Sequence, residues 1–377
     1  MLHLLDINEE LLMLIALVLP FVGSLIIGPK LIAVLRAMKA GQPIREARKG
    51  VLAPEHQSKV GTPTMGGLML IGLVLLTALL VCDLTSPMVQ CCLLVTCVTA
   101  FLGFLDDYAK ITKKSTDGVS GWFKIALQAL AAIGSAAYLY NSVPNVTEVL
   151  IPFYGMVDFG ILFIPFALLV IIGTSNAVNL TDGLDGLASG CTIITGLAYV
   201  IVTSALSFGM DMSLSSFVIA IISACIGFLW FNCNPARVFM GDTGSLALGG
   251  ALGTIAVCTH SAFILVIIGG VFVAEALSVM IQVGWFKVSR KLYGEGRRFF
   301  RMAPIHHHFE KGGLSETQVC VRFWIISFFL AVVGLLVLGI SQMMEMEREM
   351  TDMPVMVMPE PVEEAPMPEP VPAPENN

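Results

Sequence analysis

Five aspartates stand directly beside long apolar segments of the sequence: Asp106, Asp107, Asp182, Asp185 and Asp242. Ionisable groups are costly beside lipid, so several of them gathered at the ends of apolar segments indicate a functional site. Carboxylates accompanied by basic side chains, with no cysteine ligand, favour a hard cation that is shared with phosphate groups, and Mg²⁺ fits best. The chemistry that this set predicts is phosphoryl transfer, in which metal and basic groups neutralise phosphate oxygens.

The first two aspartates open the string Asp106-Asp107-Tyr108-Ala109-Lys110, which continues an apolar run. If helical geometry continues through the string, Asp106 and Lys110 lie one turn apart on the same face. An ordinary solvated helix end with an ion pair between these two residues is the alternative interpretation.

The segment 175–187 combines two amides, two carboxylates and two glycines between strongly apolar flanks. This composition favours a broken or tightly turned backbone that presents carbonyls and side chains to a polar ligand. A turn that only caps the next helix is the alternative. That alternative does not explain why Asn176 and Asn179 precede the turn.

Asp242 lies in the string Phe239-Met-Gly-Asp-Thr-Gly-Ser245 and is expected near the N-terminus of a helix. The positive end of a helix dipole favours a carboxylate or a phosphate there. A plain N-cap role for Asp242 is the alternative.

A basic segment near the N-terminal end of the chain closes with Lys59-Val-Gly-Thr-Pro-Thr-Met-Gly-Gly67. It lacks the spacing of a P-loop, although its lysine and its backbone amides could hold phosphate. A helix start punctuated by Gly and Pro is an equally good interpretation of this string.

A second basic segment carries Arg297, Arg298 and Arg301, followed by His306-His307-His308. Consecutive histidines point in different directions and make a poor metal site, so hydrogen bonding to phosphate is favoured for them. Retention of topology by positive charge accounts equally well for the arginines alone.

The composition requires lipid as a solvent for most of the chain. Of its 377 residues, 56% are hydrophobic and only 13% are charged, which is more apolar surface than one soluble core can hide. A spanning helix needs about 20 apolar residues. The sequence predicts ten such helices and therefore an all-α integral membrane protein, with stretches near 11–35, 66–84, 88–105, 121–141, 158–176, 187–208, 214–232, 244–259, 262–286 and 320–342.

Lysine and arginine are concentrated in the loops after predicted helices 1, 3, 7 and 9, whereas the loops on the other side hold none. By the positive-inside rule the basic loops are cytoplasmic and both termini lie outside. The five aspartates then fall on the cytoplasmic side. We further expect a membrane domain at 1–344 and a disordered tail at 345–377, which is rich in Pro, Glu and Met and explains the net charge of −7.

Five strings in this order along the chain resemble the phospho-N-acetylmuramoyl-pentapeptide transferase family, within the polyprenyl-phosphate N-acetylhexosamine-1-phosphate transferase superfamily. They occupy 59–67, 106–110, 176–188, 239–245 and 304–310. The resemblance covers nearly the whole membrane body and leaves out the tail. It implies a ten-helix, multi-pass protein of the bacterial inner (cytoplasmic) membrane, often a homodimer, for which no nucleic-acid partner is expected.

The resemblance also implies transfer of phospho-MurNAc-pentapeptide from UDP-MurNAc-pentapeptide to undecaprenyl phosphate, which gives lipid I and UMP with Mg²⁺ in the first membrane step of peptidoglycan synthesis. Carried over onto matching positions, Asp242 is the metal ligand, with Asp106 and Asp107 beside it as further metal ligands or activators of the lipid phosphate. His306 completes the implied catalytic residues. The implied substrate-binding residues are Lys59, Lys110, Lys114, Lys124, Asn176, Asn179, Asp182, Gly183, Leu184, Asp185, Asn232, Phe239, His307 and His308.

Two other functions are compatible with these residues. A related transferase for UDP-GlcNAc uses the same chemistry, although the strings at 62–67 and 304–310 favour the MurNAc-pentapeptide branch. A membrane transporter, from a different class, predicts acidic or amide residues at mid-helix depth, whereas these residues cluster at helix ends. Glu275 and Gln282 in the predicted ninth helix are the exceptions, and they suit either a helix-packing network or a groove for substrate access.

Overall fold

The computed structural model describes residues 8–38, 61–113, 118–206 and 212–352, with the backbone alone for 349–352. Within these residues the chain forms twelve α-helices, one short 3₁₀ turn and one two-stranded antiparallel sheet. The helices are α1 (Glu9–Ala37), α2 (Gly67–Val81), α3 (Pro87–Lys113), α4 (Gly121–Ser142), α5 (Phe163–Thr181), α6 (Leu187–Leu206), α7 (Met212–Asn232), α8 (Gly241–Cys258), α9 (Ala262–Ile268), α10 (Gly270–Tyr293), α11 (Ile305–Glu310) and α12 (Glu316–Asp352).

In the described part of the chain, eight helices are long and apolar enough to cross a membrane: α1, α3, α4, α5, α6, α7, α10 and α12. Helix α2 is apolar but has only 15 residues. The structure therefore has the character of a largely helical, multi-pass membrane protein, as the composition predicts. The number of spans and the orientation of the termini stay predictions.

The structure differs from the predicted helices within the stretch 262–286 and between α4 and α5. The stretch predicted at 262–286 divides into α9 and α10 at Gly269, because Gly269 and Gly270 have low helix propensity. Between α4 and α5 the chain forms a hairpin, in which β1 (Glu148–Ile151) pairs with β2 (Gly155–Asp158). The hairpin is a small addition to the helical body, and its apolar β1 residues suit a short, half-buried strand.

The last helix runs beyond the predicted domain boundary at 344. Residues 345–352 are helical, because Met, Glu and Arg favour helix and no proline occurs before Pro354. Glu345 accepts a 3.1 Å hydrogen bond from the Met156 N–H, so the end of α12 is tied to the hairpin. The remainder of the predicted tail, 353–377, lies outside the described residues.

Helix α8 lies at the centre of the molecule, between α3 and α5, and nearly all of its residues are buried. Glycines allow this position, since a Cβ at Gly249 would lie 2.5 Å from the backbone oxygen of Thr174 on α5. Small residues let helices approach closely in lipid. The close packing brings Asp242, at the start of α8, to the ends of α3 and α5.

Candidate active site

Helix α3 continues beyond its apolar part through both aspartates to Lys113. Lys110 Nζ lies 2.6 Å from Asp106 Oδ2, so the predicted pairing across one helical turn is confirmed. Asp106 and Asp107 are only 1% and 0% exposed. That burial argues against an ordinary solvated helix end.

A glycine contact fixes the distance between α3 and α8 beside these aspartates. A Cβ at Gly103 would lie 2.1 Å from the backbone oxygen of Asp242, which is closer than a side chain tolerates. Asp242 is the second residue of α8. Its backbone is therefore held directly against α3, one turn before Asp107.

Asp107 caps the N-terminus of a helix other than its own. Its Oδ1 accepts the Asp242 N–H at 3.1 Å, and its Oδ2 accepts the Thr243 N–H at 3.0 Å and the Thr243 hydroxyl at 2.7 Å. The first N–H groups of a helix have no partner within the helix, and the dipole favours a carboxylate there. The predicted place of Asp242 near a helix N-terminus is confirmed, while the capping carboxylate belongs to Asp107.

Two lysines bind the carboxylates that gather at this point. Lys124 Nζ, on α4, lies 2.8 Å from both Asp106 Oδ1 and Asp242 Oδ2, and Lys110 Nζ lies 3.3 Å from Asp242 Oδ2. Oxygens of Asp106, Asp107 and Asp242 lie within 4.8 Å of one another, as in a group that could hold a metal ion. We call these five side chains the carboxylate–lysine cluster. Three carboxylates against two ammonium groups leave one negative charge.

The cluster is open on one side. The side chains of Lys124, Lys110 and Asp242 are 21%, 19% and 14% exposed, whereas that of Asp106 is 1% exposed. A ligand from solvent would therefore meet Asp242 and the lysines first. A cation on these three carboxylates would have oxygen ligands only, which suits a hard divalent ion.

The last turns of α5 supply amides beside the cluster. Asn179 Nδ2 donates to Asp242 Oδ1 at 3.1 Å and to Ser245 Oγ at 2.9 Å. Asn176 Nδ2, one turn earlier, donates to Gln128 Oε1 at 3.0 Å. The two asparagines lie on the helix itself, which extends to Thr181, and only Asn179 contacts the cluster.

The loop after α5 begins with a carboxyl group whose environment favours the protonated form. Desolvation raises the pKa of Asp182 well above its usual value, and the charges of Asp242, Asp107 and Asp185 raise it further. The backbone N–H of Gly241 acts in the opposite direction. A cation near Asp182 would favour its ionised form.

Asp185 binds the backbone of the next polar loop. Its Oδ2 accepts from Asn234 Nδ2 at 3.1 Å and from the Ala236 N–H at 3.0 Å. Glu316, at the start of α12, accepts the Asp185 N–H at 2.7 Å. Asp185 is 4% exposed, so in this structure it holds two loops together.

The side chain of Asn232 also forms hydrogen bonds with backbone groups. Its Oδ1 accepts the Gly186 N–H at 3.1 Å, and its Nδ2 donates to the Val238 carbonyl at 3.0 Å. The side chain is 3% exposed. Its hydrogen bonds join the loop after α5 to the loop after α7.

The three histidines lie on the short helix α11 and contact three different partners. His306 is buried, with Nδ1 3.1 Å from Glu275 Oε1 of α10. A Cβ at Gly183 would lie 2.2 Å from His306 Nε2, so this ring packs on the loop after α5. His307 Nδ1 lies 2.6 Å from Glu310 Oε2, and His308 Nδ1 accepts the Arg301 N–H at 3.1 Å.

Packing contacts explain Glu275 and Gln282, the two residues of α10 that the transporter alternative singled out. Glu275 contacts His306, and Gln282 hydrogen-bonds the backbone of Phe299 and Phe300. Both side chains hold the chain that leaves α10, as in the helix-packing interpretation.

The structure brings together the described parts of all five strings. The Phe239 N–H donates to the Pro63 carbonyl at 2.8 Å, and the Gly66 N–H donates to the Phe239 carbonyl at 2.9 Å, which joins the first string to the fourth. Leu184 is buried at 3% exposure. Lys59 and Lys114 lie outside the described residues.

Thr243, Ser245, Gln128 and Glu316 take part in the site although the sequence did not single them out. Thr243 and Ser245 lie within the fourth string, and no feature of the sequence indicates that their hydroxyls form hydrogen bonds in the site. Gln128 is an amide in an apolar helix, which is costly unless it is bonded, and that signal was available. Glu316 has no comparable signal.

Residues 89–260 match the model of a family described as glycosyl transferase family 4. The matched range contains Asp106, Asp107, Lys124, Asn179 and Asp242, and it ends before α11. The match supports the superfamily of polyprenyl-phosphate sugar-1-phosphate transferases and a transferase activity in general.

Proposed function

We propose that this chain transfers phospho-MurNAc-pentapeptide from UDP-MurNAc-pentapeptide to undecaprenyl phosphate, giving lipid I and UMP. The observation that carries the proposal is the carboxylate–lysine cluster, which lies where apolar helices α3, α4 and α8 end or begin. The family match supports the general reaction. The strings at 62–67 and 304–310 favour the MurNAc-pentapeptide substrate over UDP-GlcNAc.

The position of the cluster suits one lipid substrate and one soluble substrate. The polyprenyl chain would stay in the bilayer while its phosphate reaches the open side of the cluster. The UDP-sugar would come from the side that the basic loops mark as cytoplasmic. We place the protein in the bacterial inner membrane, as a homodimer, by the same resemblance.

Mg²⁺ is the proposed cofactor, with Asp242 and Asp106 as its ligands and Asp107 beside them. The fit rests on three carboxylates within 4.8 Å of one another, with no sulfur or imidazole ligand among them. When bound, the ion would neutralise phosphate oxygens and orient them. Asp107 contributes by holding the α8 N-terminus, because both of its oxygens already accept hydrogen bonds from that helix.

Lysines and amides complete the proposed site. Lys110 and Lys124 place two positive charges on the open side, where they would neutralise transferred phosphate. Asn179 and Asp182 would shape the metal and nucleotide site, as the resemblance implies. For the uridine we propose a pocket of Lys59, 183–185 and Phe239, and for phosphate or sugar contacts Lys114, Asn232 and 306–308, as the resemblance implies.

The test follows UMP release by the purified protein in detergent with UDP-MurNAc-pentapeptide, undecaprenyl phosphate and Mg²⁺. We expect release to require the lipid acceptor and the metal and to be abolished in Asp242→Asn, because that variant removes a charge from the open side of the cluster. Asp158→Asn, the same substitution in the β-hairpin, is the matched control and should keep full activity.

Three results would redirect the proposal. UMP release only with UDP-GlcNAc would show the rival sugar specificity. Equal activity of Asp242→Asn and the control would remove the cluster from the reaction. If a folded preparation releases UMP from no nucleotide sugar, the transferase proposal fails and transport becomes the function to test.

A further inference from the structure

The chain that leaves α10 turns back along the same helix. Gly294 adopts a left-handed conformation with φ of 77° and ends the helix. Gly296 then lies against the Phe286 ring, where a Cβ would approach the ring within 2.3 Å. We call residues 294–304 the return segment.

Two polar side chains of α10 fix the return segment. Ser289 Oγ accepts the Arg297 N–H at 2.8 Å. About two turns earlier in α10, Gln282 Oε1 accepts the N–H groups of Phe299 and Phe300 at 3.0 and 2.9 Å. Its Nε2 donates to the Phe300 carbonyl at 3.3 Å. The arginines of the segment therefore start from a fixed backbone.

The surface formed in this way is strongly basic. Within 285–311, all of which the structure describes, seven bases are exposed and Glu295 is the one exposed acid. We call this surface the basic face, and its bases are Lys287, Arg290, Lys291, Arg297, Arg298, Arg301 and Lys311. Arg297 stacks on Tyr293, with its guanidinium carbon 4.3 Å from the ring centroid.

Large apolar side chains are interleaved with these bases. Leu292 is 65% exposed, Phe299 60% and Phe286 44%. Helix α10 is apolar enough to span the membrane, and Lys287, Arg290 and Lys291 lie near its end. We therefore expect both kinds of side chain at the level of the lipid headgroups. Aromatic and basic residues anchor at that level.

We propose that the basic face binds anionic membrane phospholipids through their headgroup phosphates. Retention of topology needs only an excess of positive charge on one side, whereas here Gln282 and Ser289 fix the backbone that carries the return-segment arginines. A fixed backbone lowers the ordering cost of binding, and the guanidinium fork matches a phosphate. Zwitterionic lipids are weaker ligands because their ammonium group offsets the phosphate.

The site also adjoins α11 through a series of aromatic contacts. Phe299 packs on Phe300 with ring centroids 4.9 Å apart, and Phe300 packs on His308 at 5.7 Å. The Arg301 N–H, in turn, donates to His308. The basic face is thus in direct contact with α11.

Trp285 provides the reporter, because its ring centroid lies 6.3 Å from that of Phe299. The experiment measures quenching of tryptophan fluorescence in the full chain, in uncharged detergent, by phosphatidylglycerol or phosphatidylcholine with brominated acyl chains. Trp285→Phe identifies the component that belongs to this residue. We expect the Trp285 component to be quenched at lower concentrations of phosphatidylglycerol than of phosphatidylcholine.

Variants then show which residues cause the preference for phosphatidylglycerol. Each basic group near a headgroup surface adds to the binding of anionic lipid, so the combined change Arg297→Gln, Arg298→Gln and Arg301→Gln should weaken phosphatidylglycerol quenching about a hundredfold. Gln282→Ala keeps every charge and should weaken it by a smaller factor. The combined change Lys30→Gln, Arg36→Gln and Lys113→Gln alters the net charge equally, outside the basic face, and should leave it unchanged.

The proposal is overturned if both lipids quench Trp285 equally in the unaltered protein, a result that needs no variant to fold. It is also overturned if the control set weakens quenching as much as the three return-segment arginines. Transferase activity does not enter the readout, so failure here leaves the proposed function unaffected.

Discussion

At the scale of single residues, Asp106 and Asp107 have different environments although they are neighbours. Asp106 binds both lysines of the carboxylate–lysine cluster. Asp107 instead hydrogen-bonds the N-terminus of α8. The position of Asp242 therefore depends on the contact between Asp107 and Thr243.

Thr243→Val tests that contact, because it keeps the shape of the side chain and removes the hydroxyl that donates to Asp107. Loss of a hydrogen bond to a buried charged group is expected to cost about 1.5–3 kcal/mol. The midpoint of thermal unfolding in detergent should fall accordingly. Thr77→Val is the matched control, since the Thr77 hydroxyl is buried and has no partner among the described residues; equal losses in both variants would contradict the capping role.

At the scale of elements, the site is assembled where helices touch through glycine. Gly103 brings α3 against the first residues of α8, and Gly249 brings α8 against α5. Neither contact involves a functional side chain. Each nevertheless fixes how far Asp242 lies from the groups on the neighbouring helix.

Gly103→Ala should therefore separate α3 from α8, because a Cβ there meets backbone that cannot move aside. We expect overpacking to cost about 1–3 kcal/mol and UMP release to fall with it. Gly134→Ala on α4 is the control, since its Cβ meets nothing within 4 Å, and the change should be neutral or add up to about 1 kcal/mol of stability. Activity kept by Gly103→Ala would show that this spacing is not required.

Spacing along the sequence predicted contacts within one helix, but it did not predict contacts between residues far apart in the chain. The i, i+4 spacing of Asp106 and Lys110 gave their contact. Lys124 and Asp242 are 118 positions apart, and no periodicity connects them, so only the resemblance placed both at one site. Apolar runs located the helices, but they did not show the break at Gly269, because the low helix propensity of Gly269 and Gly270 leaves no mark on the apolar pattern.

At the scale of the whole molecule, the last helix holds loops from the middle of the chain. Glu316 Oε1 accepts the Asp185 N–H at 2.7 Å, and its Oε2 accepts from Asn234 Nδ2 at 3.3 Å. These partners lie in the loops after α5 and α7. The site thus depends on residues that come long after the segment 89–260 that matches the transferase family.

Glu316→Ala should loosen both loops at once. Removing the carboxylate leaves a buried N–H unpaired, which costs about 1–3 kcal/mol, so the thermal midpoint in detergent should fall. Gln318→Ala, an exposed neighbour that bonds Ser315 in its own turn, should change it little. An unchanged midpoint in Glu316→Ala would mean that α12 does not hold the loops.

The paired charges of the carboxylate–lysine cluster have a consequence for ligand binding. A cation that takes Asp106 and Asp242 must displace Lys110 and Lys124, and a phosphate that takes the lysines must draw them away from the same carboxylates. Each ligand therefore removes the competitor that opposes the other. Thermodynamic linkage makes this effect reciprocal, so cation and phosphate would bind cooperatively, and neither affinity is a fixed property of the protein alone.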